Sequence, residues 1–181
     1  MEYDVTQIAP WRRLFARLFD FYVFSFGIGA LLTIISSVYW PPLLSSPLVQ
    51  NPALSFIFTG YLACVLSGMI LGGLTTTPGK YLFGIKVTNF QSEPVGISAG
   101  ILRDLRVWIQ GMWFGIPILY IIAGLRAKSY YEANRATRWD MGRYQVGVRA
   151  PGGKRIFLDV IGVILFISIL VLFSWLRTLD Y

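Results

Sequence analysis

Asp20 stands inside an otherwise apolar, aromatic stretch, RRLFARLFDFYVFSFGIGALLTIISSVY, and Arg17 precedes it by three residues. A helix puts both on one face. An ionisable side chain within a membrane-crossing helix is costly, so it marks a functional site until shown otherwise. A carboxylate at such depth can hold a proton or a hard monovalent cation, which needs oxygen donors from carboxylates, carbonyls and hydroxyls. Three more acids, Asp104, Asp140 and Asp159, would reach the same level if the middle of the chain folds back beside the first helix. Asp140 joins Asp20 and Arg17 as the candidate ion or proton site, with Arg103, Asp104, Lys80 and Asp159 in support. Each residue also has a plainer reading. A carboxylate held ionised by Arg17 is a poor proton carrier near neutral pH, and Arg17–Asp20 then reads as an interfacial salt bridge. Asp140 suits a loop cap or a partner of Arg138 or Arg143. Asp159 suits the first turn of a helix, where the macrodipole favours an acid. Lys80 suits headgroups or carbonyls at the end of the second helix.

Other chemistries are excluded by composition. The chain has no histidine and one cysteine, Cys64. Histidine triads, cysteine metal clusters and internal disulfides are therefore ruled out. The Gly-Lys pair at Gly79–Lys80 is not a phosphate loop. Gly73 lies six residues before Gly79, one too many, and Tyr81 stands where Ser or Thr is required. No nucleophile–base pair and no cofactor loop is found, so no enzyme, no cofactor and no metal are expected. The formal net charge of +7 suits anionic lipid headgroups at basic cytoplasmic loops rather than nucleic acid.

The elements that must position these residues are mostly membrane helices. The chain is 55% hydrophobic and 14% charged, against about 25% charged in soluble domains. Residues 1–181 read as a single integral membrane domain with no signal peptide. Leu18 to Val38 is long enough to span. A proline-rich, uncharged turn follows at 40–51. The second helix covers about 52–74, and its small residues Gly60, Cys64, Gly68 and Gly72 recur every four positions as a packing ridge. Tyr81 to Thr88 reads as a strand, Asn89 to Pro94 as a turn, Val95 to Ile97 as a short return strand and Arg143 to Arg149 as a further strand. Residues 98–125 are interrupted by Gly111, Gly115 and Pro117, and a last helix runs from about Ile156 to Trp175.

Charge decides between two topologies. If 107–125 crosses the membrane, the sixteen bases divide equally between the two sides. If 98–125 dips in and returns, fifteen fall on one side and only Arg177 on the other, as the positive-inside rule prefers. The expected architecture is thus an all-α membrane protein with three transmembrane helices, a broken re-entrant helical hairpin over 98–125 and a small cytoplasmic β element. The N-terminus is cytoplasmic. Four plain transmembrane helices are the alternative.

These motifs together resemble the RDD family of small membrane proteins, named for an arginine and two aspartates. Arg17 and Asp20 in ARLFD match the first pair, and Asp140 in ATRWDMGRYQVGVR matches the second aspartate. TPGKYLFGIKV resembles the family's Gly-Lys segment, and ILRDLRVW its arginine-bearing helix start. The resemblance covers about residues 12–149, with the helix at 156–175 as an addition. Trp139 stands where the family often has histidine, so no histidine role carries over. The resemblance implies a bacterial inner-membrane protein with a transport-related role, and monovalent cation/proton exchange through Asp20 in particular. A chain this small offers few walls for a pathway, so a homo-oligomer or a membrane-protein partner is expected. The second class of function is a non-catalytic membrane subunit that organises a partner complex, using the ridge of the second helix and the strand edges.

Overall fold

The computed structural model describes residues 3–5, 9–115, 117–134, 136–140, 142–150 and 152–179. Its elements in order are β1 (Tyr3–Asp4), α1 (Pro10–Tyr39), α2 (Pro47–Gln50), α3 (Pro52–Leu74), α4 (Pro78–Leu82), β2 (Ile85–Thr88), α5 (Ile97–Arg106), α6 (Pro117–Asn134), β3 (Gln145–Arg149) and α7 (Gly153–Leu179). Among the described residues, two helices, α1 and α3, are long and apolar enough to cross a membrane. The described apolar run of α7, Ile156–Leu165, is shorter.

Helix ends follow local chemistry. Proline at the first position begins α1 and α3, where its missing N–H costs nothing. Asn51 caps α3 by accepting from the N–H groups of Ala53 and Leu54 at 3.0 and 3.3 Å. At its other end Thr75 turns left-handed, φ 62°, and stops the helix ahead of Pro78.

The small-residue ridge of α3 is covered by the chain itself. A Cβ on Gly68 would lie 2.5 Å from Ile101 Cα, and one on Gly72 would lie 2.6 Å from Ile97 Cα. One on Gly100 would overlap the Gly68 carbonyl. Backbone therefore meets backbone where α5 lies on α3, as small residues allow. Gly60 and Cys64 continue the ridge against Phe21, Trp108 and Met112. This overturns the use of the ridge as a docking surface for a partner, because α5 occupies it.

Two sequence expectations change in the middle of the chain. Tyr81 and Leu82 belong to the short helix α4, not to a strand, and β2 begins at Ile85. The return strand at Val95–Ile97 is absent, since Ile97 starts α5. β2 pairs with the distant β3, antiparallel, with Ile85 opposite Val148 and Thr88 opposite Gln145, as the placement of both strands on one side allows. β1 adds to the far side of β3. Ile85 and Val87 turn inward with Val146 onto Ala16, Leu71 and Phe83, so the sheet seals one end of the α1–α3 pair.

The interruption expected within 98–125 is present. After α5 the backbone widens into a π turn over Val107–Gly111. Trp113 and Phe114 then take positive φ values of 45° and 60° before Pro117 opens α6. That helix runs on to Asn134, nine residues past the expected end of the hairpin at 125.

The glycine contact gives a direct test. Gly68→Ala should cost about 1–3 kcal/mol, the usual penalty for overpacking. Gly73→Ala, one residue past the ridge with nothing within 4 Å of its new Cβ, should be neutral or slightly stabilising because alanine favours helix. Unfolding in detergent measures both, and equal effects would mean that α5 does not press on α3.

Candidate functional site

Asp20 projects from α1 at the segment joining α3 to α4. Its carboxylate accepts from the Gly79 N–H at 2.7 Å and from the Thr77 hydroxyl. Lys80 Nζ stands 3.5 Å from the Thr77-bonded oxygen, Oδ2. The sequence TTTPGK builds this cradle. Thr77 occupies the cap position of α4 but makes no side-chain cap bond, having turned its hydroxyl to Asp20. Gly79 lacks a side chain where a Cβ would strike the Ala16 carbonyl and lie 2.9 Å from the Asp20 carboxylate.

From Lys80 the charges continue in alternation. Lys80 donates to Thr77 Oγ1 at 3.1 Å and lies 3.8 Å from Asp104 Oδ2. The Ser67 hydroxyl donates to that same Asp104 oxygen at 2.6 Å. Arg103 Nη1 donates to the other Asp104 oxygen at 3.0 Å, and its Nε donates to Asp140 Oδ1 at 2.7 Å. The Thr137 hydroxyl completes Asp140 at 2.6 Å. Asp20, Lys80, Asp104, Arg103 and Asp140 are all buried. The chain of contacts thus ties α1, α3, α4, α5 and the segment before β3 into one unit.

Two of the three N-terminal arginines lean on aromatic rings. Arg17 lies over Trp139 at 4.6 Å, and Arg13 lies over Tyr131 at 4.2 Å. Such stacking is a favourable use of a cation that sits on apolar surface.

Several sequence readings are corrected here. Asp20 pairs with Lys80 and not with Arg17. Lys80 is 5% exposed, held between two carboxylates instead of meeting headgroups. Asp140 binds the side chains of Arg103 and Thr137, while its tie to Arg143 is a backbone bond of the turn. Asp159 does not join the cluster around Asp20 but pairs with Arg12 at 2.8 Å, fastening α7 to α1. Three hydroxyl residues, Ser67, Thr77 and Thr137, were not singled out from sequence. Thr137 carried a signal in its spacing, since a threonine three residues before an acid can close a local loop through side-chain bonds. Ser67 was a lone hydroxyl beside the ridge.

The electrostatics of Asp140 set an acid limit on stability. Burial alone would raise its pKa, but Arg103, then Arg17, with hydrogen bonds from Thr137 and Arg103, hold it below the ordinary carboxylate value. A lowered folded-state pKa contributes stability that is present above the unfolded value, about 3.9, and is lost as pH falls through the folded one. The unfolding temperature should therefore drop below about pH 4. Asp140→Asn should lose about 3–5 kcal/mol at neutral pH, because Arg103 is left short of a buried partner, and should show a flatter acid limb. An acid limb of unchanged steepness in the variant would mean that Asp140 is not the group responsible.

The chain is 30% identical over 127 residues to the uncharacterized protein YxaI of Bacillus subtilis (strain 168), covering 63% of this chain and 84% of that protein. No solved structure matches it. The model of the RDD family matches residues 9–176, a span that takes in Arg17, Asp20 and Asp140 and also most of α7, which the motif resemblance had left outside. The chain is a membrane protein of the RDD family.

Proposed function

We propose that the protein exchanges a monovalent cation for protons, with Asp20 and Asp104 as the carboxylates that take either species. Lys80 acts as the tethered cation that fills their shared site between turnovers. The observation that carries this reading is the position of the Lys80 ammonium, 3.5 Å from Asp20 and 3.8 Å from Asp104. Both distances are longer than the 2.7–2.9 Å of tight charge-assisted bonds. Beside it lies a cavity of about 30 Å³ bordered by Asp20, Ser67, Lys80 and Asp104. That is room for one water-sized occupant. Carboxylate and hydroxyl oxygens on its walls match the donors a hard cation takes. If the ammonium swings away, two carboxylates lose their counter-ion in an apolar setting, where unpaired charge is costly. A proton or an incoming cation meets the same need.

In this reading α1, α3 and α7 cross the membrane, and α5 with α6 enters and returns. The apolar start of α6, Pro117–Leu125, gives about 13 Å of helix, less than half of the ~30 Å hydrocarbon core. The distribution of bases favours a cytoplasmic N-terminus in a bacterial inner membrane. A homo-oligomer would supply the walls that one short chain lacks. The alternative is a non-catalytic subunit that organises a membrane complex. The outer edge of β2 offers no docking strand for it, because the Val87 N–H donates to the Thr75 carbonyl at 2.8 Å and the Thr76 hydroxyl donates to the Ile85 carbonyl at 3.1 Å.

Cation-dependent pH change in inside-out vesicles tests the exchange. Asp20→Asn and Asp104→Asn should reduce it to the level of vesicles without the protein. Lys80→Gln should lower the half-saturating sodium concentration by about tenfold, one competing ion contact of about 1.4 kcal/mol. Asp159→Asn should leave it intact. If wild-type protein is present in the vesicles and gives no signal above the empty control, monovalent cation exchange is wrong. Purification of the native complex then tests the subunit reading.

A further inference from the structure

A second, larger cavity of about 190 Å³ opens between the start of α1 and the middle of α6. Its lining is mostly apolar, with Leu14 and Leu125 on facing walls and Trp11 among them. Among the described residues, three cations, Arg13, Arg17 and Lys128, also line it, and no acid does. Lys128 meets Glu132 at 3.7 Å on the exposed side of α6. Neither arginine has an acid within 4 Å among the described residues. Arg13 is 7% exposed, its Nε has no hydrogen-bond acceptor among the described residues, and its Nη2 reaches the Val146 carbonyl only at 3.5 Å. Arg17 makes no ion pair within 4 Å among the described residues and rests on the Trp139 ring.

A buried guanidinium with an unused donor favours an anion close by. Phosphate suits it best, because the planar fork of arginine matches phosphate oxygens. An apolar wall beside that cationic corner needs a ligand with a hydrocarbon part. Tryptophan at a helix start marks the headgroup level of a bilayer, where such a molecule is at hand. We propose that this cavity binds an anionic phospholipid. Its phosphate lies on Arg13 and Arg17, Lys128 stands at the rim, and the first part of one acyl chain runs between Leu14 and Leu125. Arg17 also borders the small cavity beside Asp20 and Asp104, so the lipid phosphate sits one side chain from the ion-paired cluster. The site does not depend on the exchange reading and stands or falls on lipid binding alone.

The test uses the full chain, purified and delipidated in a neutral detergent, with unfolding temperature as the readout. Dioctanoyl phosphatidylglycerol, dioctanoyl phosphatidylcholine and inorganic phosphate are compared at equal concentration. Phosphatidylglycerol should raise the midpoint on the order of 5 °C at saturation, with little shift from the other two. Arg13→Gln should remove that difference. Should Arg13→Gln fail to fold, Gly124→Leu serves alone. Its new Cβ meets only Leu14, at 3.8 Å, so the leucine fills the cavity without disturbing the charges. Equal stabilisation by phosphatidylcholine, a shift of the same size from phosphate alone, or a phosphatidylglycerol shift that survives Gly124→Leu would each overturn the proposal.

Discussion

A charge that leaves water must be met by an opposite charge or by several hydrogen bonds, and this constraint governs the whole structure. Asp20, Asp104 and Asp140 are met by Lys80 and Arg103 together with the hydroxyls of Thr77, Ser67 and Thr137. The alternation places no two like charges in direct contact along the Asp20–Lys80–Asp104–Arg103–Asp140 path. Each member comes from a different part of the chain except the neighbours Arg103 and Asp104. Satisfying the charges therefore fixes how the parts sit. The glycine ridge is the packing counterpart of that demand. Only with α5 backbone against α3 backbone can Asp104 reach Ser67 at 2.6 Å. Buried ion pairs add little net stability compared with a well-packed apolar core, so the cluster is better understood as setting one geometry than as adding strength.

The sequence made the long elements legible. Hydrophobic runs bounded by prolines and threonines placed α1 and α3, and glycines with proline located the break before α6. The pairing of the strand near Ile85 with the one near Val148 was also readable, because both segments alternate and the charge count put them on one side. What local pattern missed was partner choice. Helical spacing put Arg17 beside Asp20, but spacing within one helix competes with whatever another helix presents, and α4 presents a lysine, a hydroxyl and a backbone N–H together. Arg17 was then free to stack on Trp139. The same applies to α4 itself. TPGKYL reads as the approach to a strand because tyrosine, leucine and phenylalanine favour one, yet the proline and the demand of Asp20 for the Gly79 N–H wind it into a turn of helix.

Within the cluster the two cations are held in different ways, and the difference bears on function. Arg103 is clamped: its Nε and Nη1 donate to two separate carboxylates at 2.7 and 3.0 Å. Each of those carboxylates is also closed by a hydroxyl at 2.6 Å. A planar guanidinium in such a fork loses little further freedom and holds its place. Lys80 is held loosely, at 3.5 and 3.8 Å from its carboxylates, with a hydroxyl at 3.1 Å as its shortest contact. It is a point charge on a flexible four-carbon stem, and it stands beside the small cavity that the arginine does not border. A cluster built only to hold helices together would use the clamped form at both places. Here the rigid half orients Asp104 and Asp140, while Lys80 stands at longer range from Asp20 and from the Ser67-bonded oxygen of Asp104. In the proposed exchange, that asymmetry lets Lys80 give way while Arg103 keeps the carboxylates in place.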